Sequence, residues 1–228
     1  MSNNIKADKI NILKGYNMLL YFGGSMIMYE PNEECVNDFI SNGIVNTLPV
    51  NSGNPRFVEA ASQLRQSCEN LTLCKQVLID DYNRLFANSG LLLAPPFKSL
   101  YITEVQQKGS SQENVSDFYN AYGWKFRSRY NIPDDHLGIE LLFLTLLTDK
   151  YLSFDDEACK VEMKSEIRRF IVQHIFSWIP EWNRKVQEKA QTTCYKGIAS
   201  LIYASCEDIY RLLDGRDQEP DMLPGSKN

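Results

Sequence analysis

Pro133-Asp134-Asp135-His136-Leu137-Gly138-Ile139-Glu140-Leu141-Leu142-Phe143-Leu144 sets the character of this chain. A proline turn and two carboxylates lead into one of only two histidines, and an almost wholly apolar helix begins directly behind them. Polar groups are thereby fixed to the rim of the densest part of the core. Asp134 or Asp135 suits the orphan N–H groups of the first helical turn, where negative charge also matches the helix dipole. Capping by these acids leaves His136 unexplained, because a charged imidazole is disfavoured at a helix N-terminus. It also leaves Glu140 unexplained, since an unpaired carboxylate one turn into an apolar helix is costly. Glu140 must face water or have a partner. Gly138 on the same helix points to the close approach of another backbone. On these residues alone, a cap with local pairing and a binding site stand level.

Helical periodicity extends outward from this stretch. Asn54 before Pro55 is an N-cap and first-turn signal. Behind it Phe57, Ala61, Leu64, Cys68, Leu71, Cys74 and Leu78 recur at gaps of three or four, one face of a long helix. Met163, Ile167, Phe170, Ile171, His174 and Ile175 make a second such face. Ile198, Leu201, Ile202, Ser205, Ile209, Leu212 and Leu213 make a third. An N-terminal helix from about Asp8 to Phe22 is expected to stop at Gly23-Gly24. No stretch alternates with period two between hairpin turns, so the expected class is all-α. The domain reading is a single helical-bundle-like unit over residues 1–213, divisible into two lobes at a soft boundary near residue 130, just before Pro133. A flexible tail is expected over 214–228, which carries Pro220, Pro224 and Gly225.

Composition narrows the function classes. The chain has 228 residues, is 43% hydrophobic and 23% charged, and carries a net charge of −5. That balance suits a globular protein and gives no basic footprint for nucleic acid. The apolar run Leu137 to Leu147 is too short to span a bilayer, so an integral membrane protein is not expected. The polar start and six scattered cysteines without a CxxC pair read as a cytoplasmic protein with reduced thiols.

Enzyme templates are mostly missing from the sequence: no phosphate loop, dinucleotide fingerprint, HExxH or GxSxG. His136 and Glu140 share a helix face at i, i+4, but two histidines and no paired cysteines make a metal site improbable. His174, on an apolar face, reads as a core histidine. A second constellation is Asp80-Asp81-Tyr82-Asn83-Arg84-Leu85-Phe86, followed by Leu93-Ala94-Pro95-Pro96-Phe97-Lys98-Ser99-Leu100-Tyr101. Aromatics, prolines and acids concentrate there, as a peptide-binding surface needs. Taken singly, each apolar residue reads as core.

Together these segments resemble the TorD/DmsD family of redox-enzyme maturation chaperones. Tyr82-Asn83-Arg84-Leu85-Phe86 matches the family's aromatic-x-x-Leu-Phe motif, and Pro133-Asp134-Asp135-His136 its Pro-x-Asp-His motif. Pro95-Pro96 with Ser99-Leu100-Tyr101 resembles its proline-serine-aromatic segment, and Trp178-Ile179-Pro180-Glu181-Trp182 follows at the right distance. Asn131 stands near the place of a family glutamate, and the first eighty residues match only in helical character. The resemblance implies a non-enzymatic cytoplasmic chaperone. Its partners would be the twin-arginine signal peptide and the apo-form of a molybdopterin oxidoreductase, whose cofactor insertion it would assist before export. It implies no cofactor of its own and no catalytic or metal residues.

The chemistry of such a peptide, a paired-arginine head and an apolar stretch, asks for carboxylates beside an aromatic groove. Asp135, with Asp80, Asp81 or Glu140, would take the guanidinium groups. Tyr82, Phe86, Pro96, Tyr101 and Tyr130 would line the groove, and His136 would orient an acid. Three rival readings stand beside this one: a nitrate-reductase-type assembly chaperone, a small-molecule enzyme using Asp135, His136 and Glu140, and a helical interaction module whose corner is only a cap. No phosphate cradle supports a guanine nucleotide site. A monomer or a dimer swapped through the segment before Pro133 fits the chain.

Overall fold

A computed structural model of the chain describes residues 2–32, 48–68, 74–87, 92–102, 114–127 and 132–214. It is all-α: eight α-helices and no β-strand are present among the described residues. Helix α1 is Ser2–Met28, α2 Pro55–Cys68, α3 Cys74–Tyr82 and α4 Val115–Ala121. Helix α5 is Leu137–Ser153, α6 Glu157–Phe170, α7 Ile179–Lys189 and α8 Thr193–Asp214. Helices α3 and α6 each run on into a wider π-type turn, Asn83–Ala87 and Ile171–Phe176 respectively. Leu71 lies outside the described residues, so the single long apolar face appears as the two helices α2 and α3. Tyr130 and residues 215–228 also lie outside them.

The start of α2 follows the sequence signal. The Asn54 carboxamide oxygen accepts from the Arg56 N–H at 3.0 Å, and Pro55 opens the helix without an N–H to satisfy. The end of α1 departs from it. The helix runs through Gly23-Gly24 to Met28, because both glycines serve packing and neither breaks the helix. A Cβ on Gly23 would lie 2.6 Å from Ile202 Cγ1 of α8. Gly24 faces Gly138 of α5, and a Cβ added there would lie 3.6 Å from the Gly138 Cα. Conversely a Cβ on Gly138 would lie 2.2 Å from Met28 Cγ and 3.1 Å from the Gly24 carbonyl oxygen. The close backbone approach expected from Gly138 is therefore real, and its partner is α1.

Helix α8 is the central element, packed on α2, α1 and α7, and α5 lies between α1 and α6. Leu137, Ile139, Leu141, Phe143, Leu144 and Leu147 of α5 are all fully buried, each contributing roughly 1.5–3 kcal/mol of transfer free energy. Phe118 and Tyr119 of α4 close over Phe143, joined by Phe170 of α6. Helices from both sides of residue 130 thus share one core.

Buried acids fasten the pieces. Asp208 of α8 accepts from the Tyr16 hydroxyl (2.9 Å), the Ser52 hydroxyl (2.6 Å) and the Asn54 amide (3.0 Å). Burial and this carboxylate together push the Tyr16 phenol far above its ordinary pKa. Asn17 of α1 likewise donates to Asp149 at 2.8 Å and accepts from Thr148 at 2.6 Å, both on α5.

Overpacking the α1–α5 crossing should be felt directly. Gly138→Ala is expected to cost about 1–3 kcal/mol. Adding Met28→Ala to it should recover part of that loss, a non-additivity that chemical denaturation of the four-member cycle would measure.

Candidate functional site

The two sequence constellations are joined by an extended strap. Leu93 and Ala94 donate their N–H groups to the carbonyls of Arg84 (3.3 Å) and Leu85 (3.1 Å) in the π-type turn after α3. The Trp182 indole donates to the Ala94 carbonyl at 3.2 Å. Pro95 and Pro96, which have no N–H to satisfy, pass through the interior. At the far end Phe97 and His136 form an isolated antiparallel bridge. Where a groove between the Tyr82 and His136 segments was expected, this strap runs.

The bridge explains how α5 begins. The Leu137 N–H donates to the Pro96 carbonyl at 2.8 Å, and the Gly138 N–H to His136 Nδ1 at 3.0 Å. The N–H groups of Ile139 and Glu140 donate to the His136 carbonyl at 2.9 and 3.1 Å. With the His136 N–H donating to the Pro133 carbonyl at 3.1 Å, the orphan donors of the first turn are all met. The cap is His136, not Asp134 or Asp135. A neutral imidazole offers Nδ1 as an acceptor, which removes the objection to a histidine at this helix end. Burial draws the His136 pKa down to about 4 despite the opposing Asp135 charge, and the ring packs edge-on against Phe97 at 5.1 Å.

Released from capping α5, the two aspartates serve the rim. Asp135 Oδ2 accepts from the Ser99 N–H at 3.0 Å, ordering the short Lys98–Leu100 turn, while its carbonyl accepts from the Lys98 N–H. Its other carboxylate oxygen takes no hydrogen bond among the described residues. Asp134 is exposed and accepts from the Ser116 hydroxyl at 2.8 Å, and its carbonyl accepts from the Tyr119 hydroxyl at 3.1 Å. Leu100, 59% exposed, stands on the same turn as Ser99. The rim thus combines two carboxylates with an exposed leucine.

Glu140 lies beneath, fully buried. Its Oε2 accepts from the Trp178 indole at 3.2 Å, and its Oε1 has no partner among the described residues. Burial pushes the carboxyl well above its usual range, opposed first by the nearby Lys98 charge. Lys98 reaches inward from the strap, donating to the Gln173 carbonyl at 2.9 Å and to His174 Nδ1 at 3.2 Å. Burial lowers its own pKa, with Glu140 and Asp135 pulling the other way. His174 is held down to about 3, by burial first and then by the charges of Lys98 and Arg169.

The remaining expected residues fall elsewhere. Tyr82 and Phe86 are buried in the core against Tyr195 and Trp182. Asp81 is fully buried and accepts from the Arg84 guanidinium (2.8 Å), the Gln191 and Thr192 N–H groups (3.0 and 2.8 Å) and the Thr192 hydroxyl (2.8 Å). It anchors α3 to the start of α8. Asp80 is exposed and accepts from Gln76 at 2.8 Å. Pro96 supplies its carbonyl to α5. Tyr101 packs on Trp178 at 5.3 Å beneath the Lys185 ammonium. The structure therefore gathers Asp135, His136, Glu140, Pro96 and Tyr101 around one corner, and sets Tyr82, Phe86, Asp80 and Asp81 apart from it.

Lys98, His174 and Trp178 were missed as members of this corner. The one available signal was Glu140, whose place in an apolar helix demanded a partner. Among the described residues no group of side chains could hold a metal ion, and no helix is long and apolar enough to cross a membrane.

The capping geometry fixes a pH dependence. His136 has a folded pKa below its unfolded value, so below pH 6.5 the unfolded chain binds more protons. Stability is then lost as pH falls towards 4, by up to roughly 1.4 kcal/mol per unit for this one group. His136→Asn retains a capping oxygen and removes that proton, so denaturation midpoints measured from pH 7 to 4 should fall less steeply in the variant.

The profile of the nitrate reductase delta subunit family matches residues 53–184, more than half of the chain. The chain is 26% identical over 184 residues to the chaperone protein TorD of Vibrio cholerae, covering 81% of each. It is 28% identical over 127 residues to TorD of a Psychrobacter strain, covering 55% of this chain and 57% of the relative. A solved structure of a candidate redox enzyme maturation protein from Archaeoglobus fulgidus is 21% identical. That alignment covers 87% of this chain and 93% of the other, with a TM-score of 0.44. With the matched region running from the cap of α2 through the strap and α5 into α7, the chain belongs to the nitrate reductase delta subunit family, to which TorD-type chaperones belong.

Proposed function

We propose that this protein is a cytoplasmic, non-enzymatic chaperone for a molybdopterin oxidoreductase. It would bind the client's twin-arginine signal peptide and assist cofactor insertion before export. The similarity to TorD chaperones supports the general role. The observation that carries the peptide reading is the rim itself: Asp135 bonds the turn that carries exposed Leu100, the turn is anchored to α5 through the Phe97–His136 bridge, and exposed Asp134 adjoins Asp135 in the chain. Arginine prefers a carboxylate with a free oxygen, and Asp135 Oδ1 accepts no hydrogen bond among the described residues. The apolar stretch of the peptide would lie over Leu100 and the half-buried Phe97 and Tyr101. His136 and Pro96 act here as positioning residues, since both are used in starting α5.

The match to the nitrate reductase delta subunit family favours a second reading, a nitrate-reductase-type assembly chaperone that serves a cytoplasm-facing subunit and reads a different terminal peptide. Titration with the two kinds of peptide separates these readings. For the leading one, Asp135→Asn should weaken a twin-arginine peptide by ten- to a hundredfold, corresponding to about 1.5–3 kcal/mol for a charge-assisted contact. Asp80→Asn, at a distant exposed site, should leave affinity unchanged. Equal affinity for wild type and a folded Asp135→Asn variant would remove this rim from the interface.

A further inference from the structure

Glu140 and Lys98 form a pair that capping, core packing and rim recognition all leave unexplained. A fully buried carboxylate with a single hydrogen bond is an expensive object. Glu140 has one donor, the Trp178 indole, and that donor is shared with the His174 carbonyl at 2.7 Å. Its Oε1 is buried without a partner among the described residues. The cation whose charge opposes this burial is Lys98, which forms no direct ion pair with it and spends two of its three protons on the Gln173 carbonyl and His174 Nδ1. Because a protonated lysine has only donors, His174 Nδ1 must act as an acceptor, so that ring is neutral with its proton on Nε2. The recess therefore presents a carboxylate oxygen, a backbone carbonyl and an imidazole lone pair. The Gln173 carbonyl and the imidazole lone pair meet the cation delivered by the strap, and Glu140 Oε1 is a third acceptor that none of the described residues uses.

We propose that this recess is a receptor for one cationic side chain. Lys98 fills it at rest as an internal stand-in, and an arginine of the client peptide takes its place when the Phe97–Leu100 end of the strap lifts. The assignment rests on the peptide-binding reading and adds to it a second, inner arginine site behind Asp135. Chemistry favours the exchange in that direction. A guanidinium carries five donors in a planar fork, against three on an ammonium, and is more weakly hydrated. It can meet Glu140 Oε1 as well as the acceptors that Lys98 uses. Among the described residues the strap's far end is held by three bonds of its own backbone, the Lys98 and Ser99 N–H groups to Asp135 and the Pro96 carbonyl to Leu137, besides the Lys98 ammonium contacts that the guest replaces. Asp135 belongs to both the latch and the rim, so a guest arginine bound there competes with the Ser99 contact holding the strap down.

The test uses the full chain with Lys98→Ala, and with Lys98→Met as a second variant that keeps the apolar stem. Ethylguanidinium at millimolar concentration should raise the melting temperature of Lys98→Ala by several degrees. It should have no such effect on wild type or on Lys98→Ala/Glu140→Gln. A twin-arginine signal peptide should bind both Lys98 variants about tenfold tighter than wild type, because an internal competitor has been removed. Rescue together with tighter binding supports the proposal. Absence of rescue, with peptide affinity equal to or weaker than wild type, overturns it and makes Lys98 a structural counter-ion, while leaving rim recognition standing. Rescue by ethylguanidinium with no peptide binding in any form overturns both the peptide reading and the arginine exchange, and leaves only a cation recess.

Discussion

The approach of α1 to α5 at Gly24 and Gly138 is the constraint on which the rest depends. Two helices whose backbones meet face to face without intervening Cβ atoms cannot slide or rotate freely. The crossing therefore fixes where the first turn of α5 lies. Everything at the candidate site hangs from that turn: the Pro96 carbonyl accepts its first N–H, His136 its second, and the strap is aligned by both. The same crossing brings Asn17 against Thr148 and Asp149, so that polar contacts set the register of the packed surface.

Buried carboxylates play two different parts in this protein. Asp81 and Asp208 are each surrounded by several donors and act as fasteners, one at the start of α8 and one near its end. In such sites the desolvation cost of the charge is offset by hydrogen bonds that the fold itself supplies. Glu140 is different, with one shared donor, one open oxygen and a cation that stops short. A site only half satisfied from within is where an external group has most to gain.

The corner also shows how a histidine can be structural and yet sensitive to conditions. His136 works as a cap only while its Nδ1 is unprotonated, and burial keeps it so well below neutral pH. The cap, the bridge to Phe97 and the Asp135 contact to Ser99 then form one connected unit. Their cooperation orders the rim at rest, and the Asp135 contact to Ser99 is the member of that unit open to competition from a ligand.

The helical class was legible in the sequence because apolar residues recur at gaps of three and four along segments that end in the core. Asn54-Pro55 at the start of α2 was legible as well, since local chemistry alone decides it. Glu140 and Gly138 were legible as anomalies, because a carboxylate and a glycine inside an apolar helix each require a neighbour. What that neighbour is could not be read locally. Gly23-Gly24 reads as a stop until α5 and α8 are seen to pass close by, and packing then outweighs helix propensity. Two aspartates read as the cap until a strap from forty residues upstream delivers a carbonyl and leaves the second N–H to an imidazole. The residues of the aromatic-x-x-Leu-Phe motif read singly as core and, through the resemblance, as groove lining; Tyr82 and Phe86 are buried against Tyr195 and Trp182. Periodicity determines which face of an element is apolar. Which residues share a corner depends on contacts across distant parts of the chain, and only the tertiary structure decides those.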